Sequence, residues 1–294
     1  ELVLFVKYEF WFFYLKKISY RKIPLLLVSA IFRKEMSFFR WYGGISRKMA
    51  ARFDHLFVQD PDSLALLEKI GLGPISSVSG DTRFDRVAEI ASAPSTIDAV
   101  EQFKGSNPLL VAGSTWPGDE EVIARAIENP ALADLKIIIA PHEVSSSRLR
   151  ELQAVFPQSE LLSTFQTAGN SNAKVLLIDS IGLLSKLYRY ATFAYVGGGF
   201  GKGLHNILEP LGFGIPVIFG NPRRASKFPE AAQSQLEGCG FGVTSFAELQ
   251  QCVHQLEQPE FYLKSTAAAQ HWVKANLGAA DRILAHLTTS TSSK

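Results

Sequence analysis

The chain has 294 residues, of which 47% are hydrophobic and 20% are charged, and its formal net charge is +2. This length and composition suit a globular protein of two compact domains, and so small a net charge leads us to expect no nucleic-acid partner. The two cysteines have no metal-type or C-x-x-C spacing, so we expect packing roles for them and no zinc or redox site.

Short apolar runs alternate with helical stretches along the whole chain, a pattern typical of parallel β-α-β units. Predicted strands lie near residues 2–6, 24–30, 55–59, 75–79, 109–112, 136–140, 174–178, 193–196, 216–219 and 241–244. The interval 91–107 is punctuated by Ser, Pro and Gly and has no strong strand. We therefore predict a first domain over 1–90, a linker over 91–107, a second domain over 108–275 and a C-terminal helix over 276–294.

Basic and aromatic residues are interleaved in the first 54 residues. Such a pattern suits a surface that meets anionic lipid head groups, and it equally suits amphipathic helices with a solvated basic face. No apolar run there reaches the roughly 20 residues that a membrane-spanning helix needs.

The segment 195–221 combines an apolar strand, a glycine turn, a predicted helix and a second apolar strand. Gly197, Gly198 and Gly199 follow the first strand, where residues without a β-carbon let the backbone approach a ligand. A helix predicted to begin near His205 would point unpaired N–H groups at the same space. The layout predicts a phosphate site.

This glycine turn matches neither of two well-known phosphate motifs. A G-x-G-x-x-G fingerprint that starts at Gly199 would need glycine at position 204, which is leucine. A P-loop that ends at Gly201 and Lys202 would need glycine at 196 and Ser or Thr at 203, where the chain has Val196 and Gly203.

Three polar residues follow the glycines. His205 and Asn206 are predicted to open the helix, and Glu209 lies one turn later. An ionised carboxylate only accepts hydrogen bonds, so it suits the paired hydroxyls of a ribose better than a phosphate. A role in complementing the helix dipole is the alternative for Glu209, but the combination with the glycine turn favours the ribose.

Six segments together resemble the bacterial Kdo transferases. These enzymes move 3-deoxy-D-manno-octulosonic acid (Kdo) from CMP-Kdo to a lipid A precursor. The matching segments are EFW at 9–11, SGDTRFD at 79–85, GSTWPGDEE at 113–121, APHE at 140–143, GGGFGKGLHNILEP at 197–210 and GIPVIFGN at 214–221.

The resemblance implies an α/β fold of the GT-B type, in which two Rossmann-like domains face a cleft. With only four predicted strands the first domain is incomplete, so we expect an N-terminal anchor, further β-α units and the main catalytic base to lie upstream. The family's activity further implies a CMP-Kdo donor, a lipid A precursor as acceptor, and a position at the cytoplasmic face of the inner membrane. It also favours the lipid-facing interpretation of the basic and aromatic residues.

The resemblance also assigns site residues. Ser114 and Thr115 would offer hydroxyls to the donor, with N-capping of the next helix as their alternative. His142 matches a segment in which many members carry Arg before His, whereas this chain has Pro141. A phosphate-binding cation could then come from Arg83, Lys202 or Arg223. Glu9 is the candidate for shaping the acceptor or Kdo site, with a helix N-terminal role as its alternative.

We expect no cofactor and metal-independent donor binding, because no Asp-x-Asp pair lies at a plausible strand end. Two other functions stay open. One is a nucleotide-sugar 2-epimerase of GT-B fold, which would bind a UDP-sugar, and the other is a non-catalytic nucleotide-binding or lipid-docking module.

Overall fold

The computed structural model describes residues 2–168, 172–221 and 227–291, and it divides into two compact units. Unit 1 comprises Glu1–Arg86 and Asn276–Lys294, and unit 2 comprises Val87–Ala275. The interval 91–107, predicted as a linker, instead contains the end of one helix and all of the next, and it belongs to unit 2.

Unit 1 contains a four-stranded parallel sheet with the order β1-β2-β3-β4. Its strands are β1 (Val3–Val6), β2 (Leu25–Ala30), β3 (His55–Val58) and β4 (Ser76–Val78). Its helices are α1 (Phe12–Tyr20), α2 (Gly44–Ala50), α3 (Pro61–Glu68), the part of α4 (Thr82–Ser92) up to Arg86, and α14 (Ala279–Thr291). All four strands lie within one residue of their predicted positions.

Both faces of this sheet are covered, as parallel strands require. Leu27 and Leu56 point into one core cluster, whereas Leu26 and Phe57 contribute to a smaller one on which Ile283 of α14 packs. The side chains of successive residues of β2 thus point to opposite faces of the sheet, as they do along any strand. The C-terminal helix is therefore part of the unit 1 core.

Two side chains fasten α14 to the rest of unit 1. The carboxylate of Asp85 accepts hydrogen bonds from the N–H groups of Gly278 (2.6 Å) and Ala280 (2.8 Å), which satisfies donors at the helix start. Further along α14, the ring of His286 lies 4.1 Å from that of His55 on β3. Burial, and secondarily His286, lower the pKa of His55 to about 4.

Unit 2 contains a seven-stranded parallel sheet with the order β11-β10-β9-β5-β6-β8-β7. Its strands are β5 (Leu109–Thr115), β6 (Lys136–Pro141), β7 (Ser159–Leu161), β8 (Val175–Leu177), β9 (Phe193–Val196), β10 (Val217–Gly220) and β11 (Gly240–Val243). Its helices are α5 (Asp98–Lys104), α6 (Pro117–Ala126), α7 (Ser146–Val155), α8 (Leu162–Ala168), α9 (Leu184–Leu187), α10 (Leu208–Gly212), α11 (Pro229–Glu237), α12 (Phe246–Leu256) and α13 (Pro259–Ala275).

The central strands of unit 2 are the most apolar ones, because they are buried on both faces. Leu109–Ala112 and Ile137–Ile139 are fully or almost fully buried. The one strand that the sequence did not predict is β7, which is three residues long, carries Ser159 and Glu160, and lies at the sheet edge. The predicted α/β class with two Rossmann-like units is confirmed.

Candidate functional site

The candidate residues of unit 2 lie at the carboxyl edge of its sheet. β5 has β6 on one side and β9 on the other, although the chain passes through β7 and β8 before it reaches β9. Where the strand order reverses in this way, the connections leave in opposite directions and open a crevice in which α/β proteins bind ligands. The segments that follow β5, β6 and β9 therefore define the candidate site.

The glycine turn follows β9 and is packed tightly against its neighbours. A β-carbon on Gly197 would overlap the carbonyl of Ser114, and one on Gly199 would overlap the carbonyl of Gly220. Gly198 has a φ of +92°, a conformation that other residues rarely adopt. The three glycines thus let three strand ends meet within backbone contact distance.

The side chain of Asp119, in the first turn of α6, is hydrogen-bonded to the glycine turn. Its buried carboxylate accepts hydrogen bonds from the N–H of Gly198 (2.8 Å), the N–H of Trp116 (3.0 Å) and the hydroxyl of Tyr195 (2.8 Å). Burial raises the pKa of Asp119, although these hydrogen bonds oppose the shift.

These contacts correct part of the phosphate prediction. The N–H of Gly197 donates to the carbonyl of Gly113 (2.9 Å) and that of Gly198 donates to Asp119, so both donors already have partners within the protein. A phosphate contact by Gly199 stays a prediction.

The helix predicted at His205 begins later. The N–H of His205 donates to the carbonyl of Gly197 (3.1 Å), which folds the chain back onto the end of β9. Asn206 then accepts a hydrogen bond from the N–H of Leu208 (3.3 Å), the first residue of α10. Since Asn side chains that bond to the backbone two residues on stabilise turns, the turn competes with the helix here. α10 has only five residues, so the predicted dipole contribution to phosphate binding is not supported.

Three rings from different loops stack at the candidate site. The ring of His142, which follows β6, lies 4.6 Å from the ring of Trp116 and 4.6 Å from that of His205. The indole N–H of Trp116 donates to Nε2 of His205 at 3.0 Å. Burial, and secondarily His142, lower the pKa of His205. The structure thus stacks two predicted residues directly on each other, and it adds Trp116, which the sequence did not single out.

Ser114 and Thr115 differ in what they can offer. Ser114 has a φ of +54°, unusual for a residue with a β-carbon, at the point where the register between β5 and β6 shifts. Strained residues of this kind concentrate at functional sites. Thr115 is buried, and its hydroxyl donates to Glu120 at 2.8 Å. The Thr115 proton is therefore already donated within the protein, and a ligand role for Thr115 stays a prediction.

Neither residue caps α6. The N-cap position is Trp116, whose N–H donates to Asp119. Glu120 is itself buried, and it forms a salt bridge with Arg148 of α7. The sequence did not indicate these buried carboxylates, because acidic residues at a helix start are ordinarily exposed and complement its dipole.

A cavity of about 170 Å³ opens beside Ser114 and His142. It is lined by the ends of β5 and β6 and by the segment that follows β8. The remaining lining residues are Ala140, Pro141, Val144, Ile178, Ser180, Ile181, Gly182 and Leu184. Its mixed apolar and hydroxyl lining suits a flat polar ring such as a nucleobase.

Glu209 lies in the first turn of α10 and is half-buried. Asn206 donates a hydrogen bond to its carboxylate (3.2 Å), yet burial outweighs this bond and raises the pKa of Glu209. Asn206 and Glu209 are thus hydrogen-bonded to each other, and only Glu209 lies within the helix. Their role in ribose binding stays a prediction.

The candidate cations are placed differently. Lys202 is exposed in the glycine turn, with Nζ 5.3 Å from the centre of the Trp116 ring. Arg83 lies in unit 1 and forms a salt bridge with Asp81 (2.7 Å). Arg223 lies outside the described residues. Lys202 is therefore the candidate cation whose contacts connect it to the ring stack.

Glu9 lies in unit 1, beyond the end of β1, and it is exposed. Its carboxylate accepts a hydrogen bond from the indole N–H of Trp11. The neighbouring Trp11 thus orients this carboxylate at the carboxyl edge of the unit 1 sheet.

The basic and aromatic residues of unit 1 differ in exposure. Phe10, Phe38 and Phe39 pack against the core, so these three rings are not part of a lipid-facing surface. The exposed residues form what we term the aromatic-basic group: Tyr8, Trp11, Phe12, Phe13, Tyr14, Lys16, Lys17, Tyr20, Arg21, Lys22, Lys34, Arg40, Trp41, Tyr42 and Lys48. Among the described residues, no helix has the length and apolar character to cross a membrane.

No group of three or more His, Cys, Asp or Glu side chains within 2–168, 172–221 and 227–291 is arranged to hold a metal ion. Metal-independent binding stays a prediction. Cys239 and Cys252 are both buried and free, and burial raises the pKa of each thiol to about 12, in keeping with packing roles.

Comparison with known proteins relates the chain to one family. A family model described as 3-Deoxy-D-manno-octulosonic-acid transferase (kdotransferase) matches residues 1–86. A 3-deoxy-D-manno-octulosonic acid transferase of Aquifex aeolicus is 27% identical over 255 residues, which are 85% of this chain and 64% of that protein. One of Chlamydophila psittaci is 32% identical over 166 residues, which are 54% of this chain and 37% of that protein. The chain is thus similar in sequence to the Kdo transferases.

The Kdo transferase relationship extends beyond unit 1, because the 255 aligned residues exceed those that unit 1 contains. The chain spans less than two thirds of the length of these two relatives. The resemblance recognised in the sequence is confirmed.

A solved structure described as a putative UDP-N-acetylglucosamine 2-epimerase from Listeria monocytogenes shares the fold. Its TM-score is 0.67 at 17% identity, and the match covers 100% of this chain and 75% of that one. At this identity the likeness concerns the fold, and it supports the predicted GT-B class.

Proposed function

We propose that this Kdo transferase relative binds CMP-Kdo through unit 2 and takes part in inverting transfer of Kdo to a lipid A precursor. The observation that carries the proposal is the convergence of Ser114, His142 and His205 at the point where the strand order of the sheet reverses. These three residues come from three different loops, and each lies in a segment that resembles the Kdo transferases.

The donor would lie along the carboxyl edge of unit 2. The cavity beside Ser114 and His142 would accept the nucleobase, and the half-buried carboxylate of Glu209 would accept hydrogen bonds from the ribose hydroxyls. As the CMP phosphate leaves, His205 and Lys202 would stabilise its negative charge. Groups already held in place cost little reorganisation at that moment.

Acceptor chemistry belongs to unit 1 in this proposal. Glu9 would shape the site of the acceptor or of Kdo, with Trp11 orienting its carboxylate. A base that removes the proton of an acceptor hydroxyl must reach it within hydrogen-bond distance. Assay of Glu9→Gln for transfer from CMP-Kdo tests whether this carboxylate contributes, with exposed Glu35→Gln as the control.

Titration calorimetry with CMP, UDP and cytidine tests the nucleotide assignment. We expect binding of CMP, weaker binding of cytidine because the phosphate contacts are lost, and little binding of UDP. A clear preference for UDP without CMP binding would favour the 2-epimerase, a function that is supported here by similarity of fold alone. If the chain joined to the expected upstream segment binds CMP but produces no Kdo-bearing lipid in the transfer assay, a nucleotide-binding module is the better description.

The lipid acceptor and the membrane surface are the remaining parts of the proposal. The aromatic-basic group would meet anionic lipid at the cytoplasmic face of the inner membrane, since Lys and Arg attract phosphate head groups while exposed rings enter the interface. Phe13 and Trp41 are 80% and 92% exposed, respectively.

Flotation with vesicles of neutral and of anionic phospholipid tests this surface. We expect binding to the anionic vesicles and at least a tenfold loss for the double variant Phe13→Ser, Trp41→Ser. Leu236→Ser is a matched control, because Leu236 is an 82% exposed apolar residue of unit 2. Equal losses for the control and the double variant would contradict the assignment.

A further inference from the structure

The hydrogen bond between Trp116 and His205 has a fixed direction. An indole nitrogen carries a proton and has no lone pair to offer, so it only donates. His205 Nε2, 3.0 Å away, must therefore be the acceptor and carry no proton. A neutral imidazole that accepts at Nε2 carries its proton on Nδ1.

We infer that Trp116 is a positioning residue, which holds His205 as the Nδ1–H tautomer so that this N–H is offered to anionic oxygen of the bound nucleotide. The inference rests on the proposed function for its ligand. Its structural part, the tautomer of His205, can be measured without any ligand.

The surroundings favour the neutral ring. A protonated His205 would lose the bond from the indole, because imidazolium has only donors. His142 stacks on it at 4.6 Å, and Lys202 lies over the Trp116 ring, so further positive charge is disfavoured from two loops. Asp119 on α6 acts in the opposite direction, but burial and His142 together lower the pKa of His205.

The tautomer has a consequence for recognition. If Nε2 were protonated instead, its N–H would point at the indole N–H, and Nδ1 would present a lone pair to the ligand. A lone pair repels a phosphate oxygen, whereas an N–H donates to it. The indole thus selects the form of His205 that can bind an anion, without requiring a charge on the ring.

Nuclear magnetic resonance of the ¹⁵N-histidine-labelled chain tests the tautomer directly. Correlations between ring protons and ring nitrogens should show His205 with Nδ1 protonated and Nε2 unprotonated at neutral pH. In Trp116→Phe, which keeps a ring for stacking, we expect His205 to shift towards a mixture of tautomers. The exposed His254 is an internal reference that should not change.

Replacing Trp116 by benzothienylalanine gives a second variant. Sulfur takes the place of the indole N–H while the bicyclic shape remains, so this variant keeps the test valid if Trp116→Phe folds poorly. The inference is overturned if His205 already carries its proton on Nε2 in the unaltered chain, or if neither variant changes its nitrogen shifts.

Binding measurements complete the test. We expect both variants to bind CMP about tenfold more weakly at pH 8, the typical effect of one lost hydrogen bond to a charged group, with cytidine binding little changed. Their CMP affinity should then recover as the pH falls, because a freed Nε2 can accept a proton. An altered tautomer with unchanged CMP affinity would refute the binding role. If the unaltered chain does not bind CMP, the proposed function fails, and the ligand-free spectra still decide the tautomer.

Discussion

The carboxylate of Asp119 accepts a 2.8 Å hydrogen bond from the backbone N–H of Gly198, which joins the start of α6 to the turn after β9. This bond connects the two strands between which the sheet order reverses, since α6 follows β5. The same carboxylate accepts from the N–H of Trp116, the residue whose indole holds His205. Asp119 is buried, so it stabilises the backbone of the candidate site and is not itself exposed to a ligand.

Replacement of Asp119 tests this supporting role. In Asp119→Ala the buried N–H groups of Gly198 and Trp116 lose their partner, so we expect the free energy of unfolding to fall by about 2 to 4 kcal/mol. Asp119→Asn should cost less, because an amide oxygen can accept both bonds while its NH₂ donates to the Tyr195 hydroxyl. Urea denaturation measures both, with the exposed Glu121→Ala as control. Equal stability of Asp119→Ala and the control would contradict the role.

Glu209 provides a test of ribose recognition. Glu209→Gln should weaken CMP binding by about 1.5 to 3 kcal/mol, the range for a hydrogen bond to a charged group. Because burial raises the pKa of Glu209, CMP affinity should begin to fall at a pH above the usual range of a glutamate as the solution is acidified.

Calorimetry over a pH series shows whether Glu209→Gln removes this dependence. Glu260→Gln, an exposed change on α13, should keep both the affinity and its pH profile. Unchanged CMP affinity in Glu209→Gln would refute the ribose role.

The glycine turn offers a comparison within four residues. Gly199→Ala would place a methyl group against the carbonyl of Gly220, and Gly198→Ala would add a side chain at a φ of +92°. We expect each to destabilise unit 2 by about 1 to 3 kcal/mol, as overpacking and unfavourable φ values do. Gly201→Ala meets no atom within 4 Å and should cost little, so equal thermal stability of all three variants would contradict the packing argument.

The environment of His55, which is stacked on His286 in unit 1, predicts that the folded protein loses stability as the pH falls. Unfolded His55 takes up a proton near pH 6.5, whereas folded His55 does so only near pH 4. Between these values the unfolded state binds more protons, so the stability present above pH 6.5 declines as the pH falls towards about 4. His55 is only partly buried, so after allowance for solvent screening we expect a loss of about 1 to 2 kcal/mol.

Chemical denaturation between pH 7.5 and 4.5 measures this decline. His55→Phe keeps a ring against Phe57 and should flatten the stability profile in that interval. His271→Gln removes an exposed histidine of α13 and should leave the profile as it is. Parallel profiles for the unaltered chain and His55→Phe would exclude His55 as the source.

Much of the fold followed from local pattern. Strands such as β5 and β6 are continuous apolar runs, and buried parallel strands require such runs. The exception, β7, is short and polar because an edge strand needs no apolar run on its outer side. The helix α10 begins later than the sequence predicts, because the N–H of Leu208 donates to the side-chain oxygen of Asn206 and stabilises a turn that a helix pattern does not reveal.

By itself the sequence determined the order of β-α units, the position of the glycine turn after a buried strand, and the resemblance to the Kdo transferases. These depend on residues that are close together in the chain. Only the tertiary structure decided that Gly198 donates to Asp119, that Thr115 donates to Glu120, and that Trp116 donates to His205. A polar group in a loop is available to a ligand only if no neighbour already bonds to it. The partners of Gly198 and His205 are Asp119 and Trp116, which lie at the start of α6 and far from both in sequence.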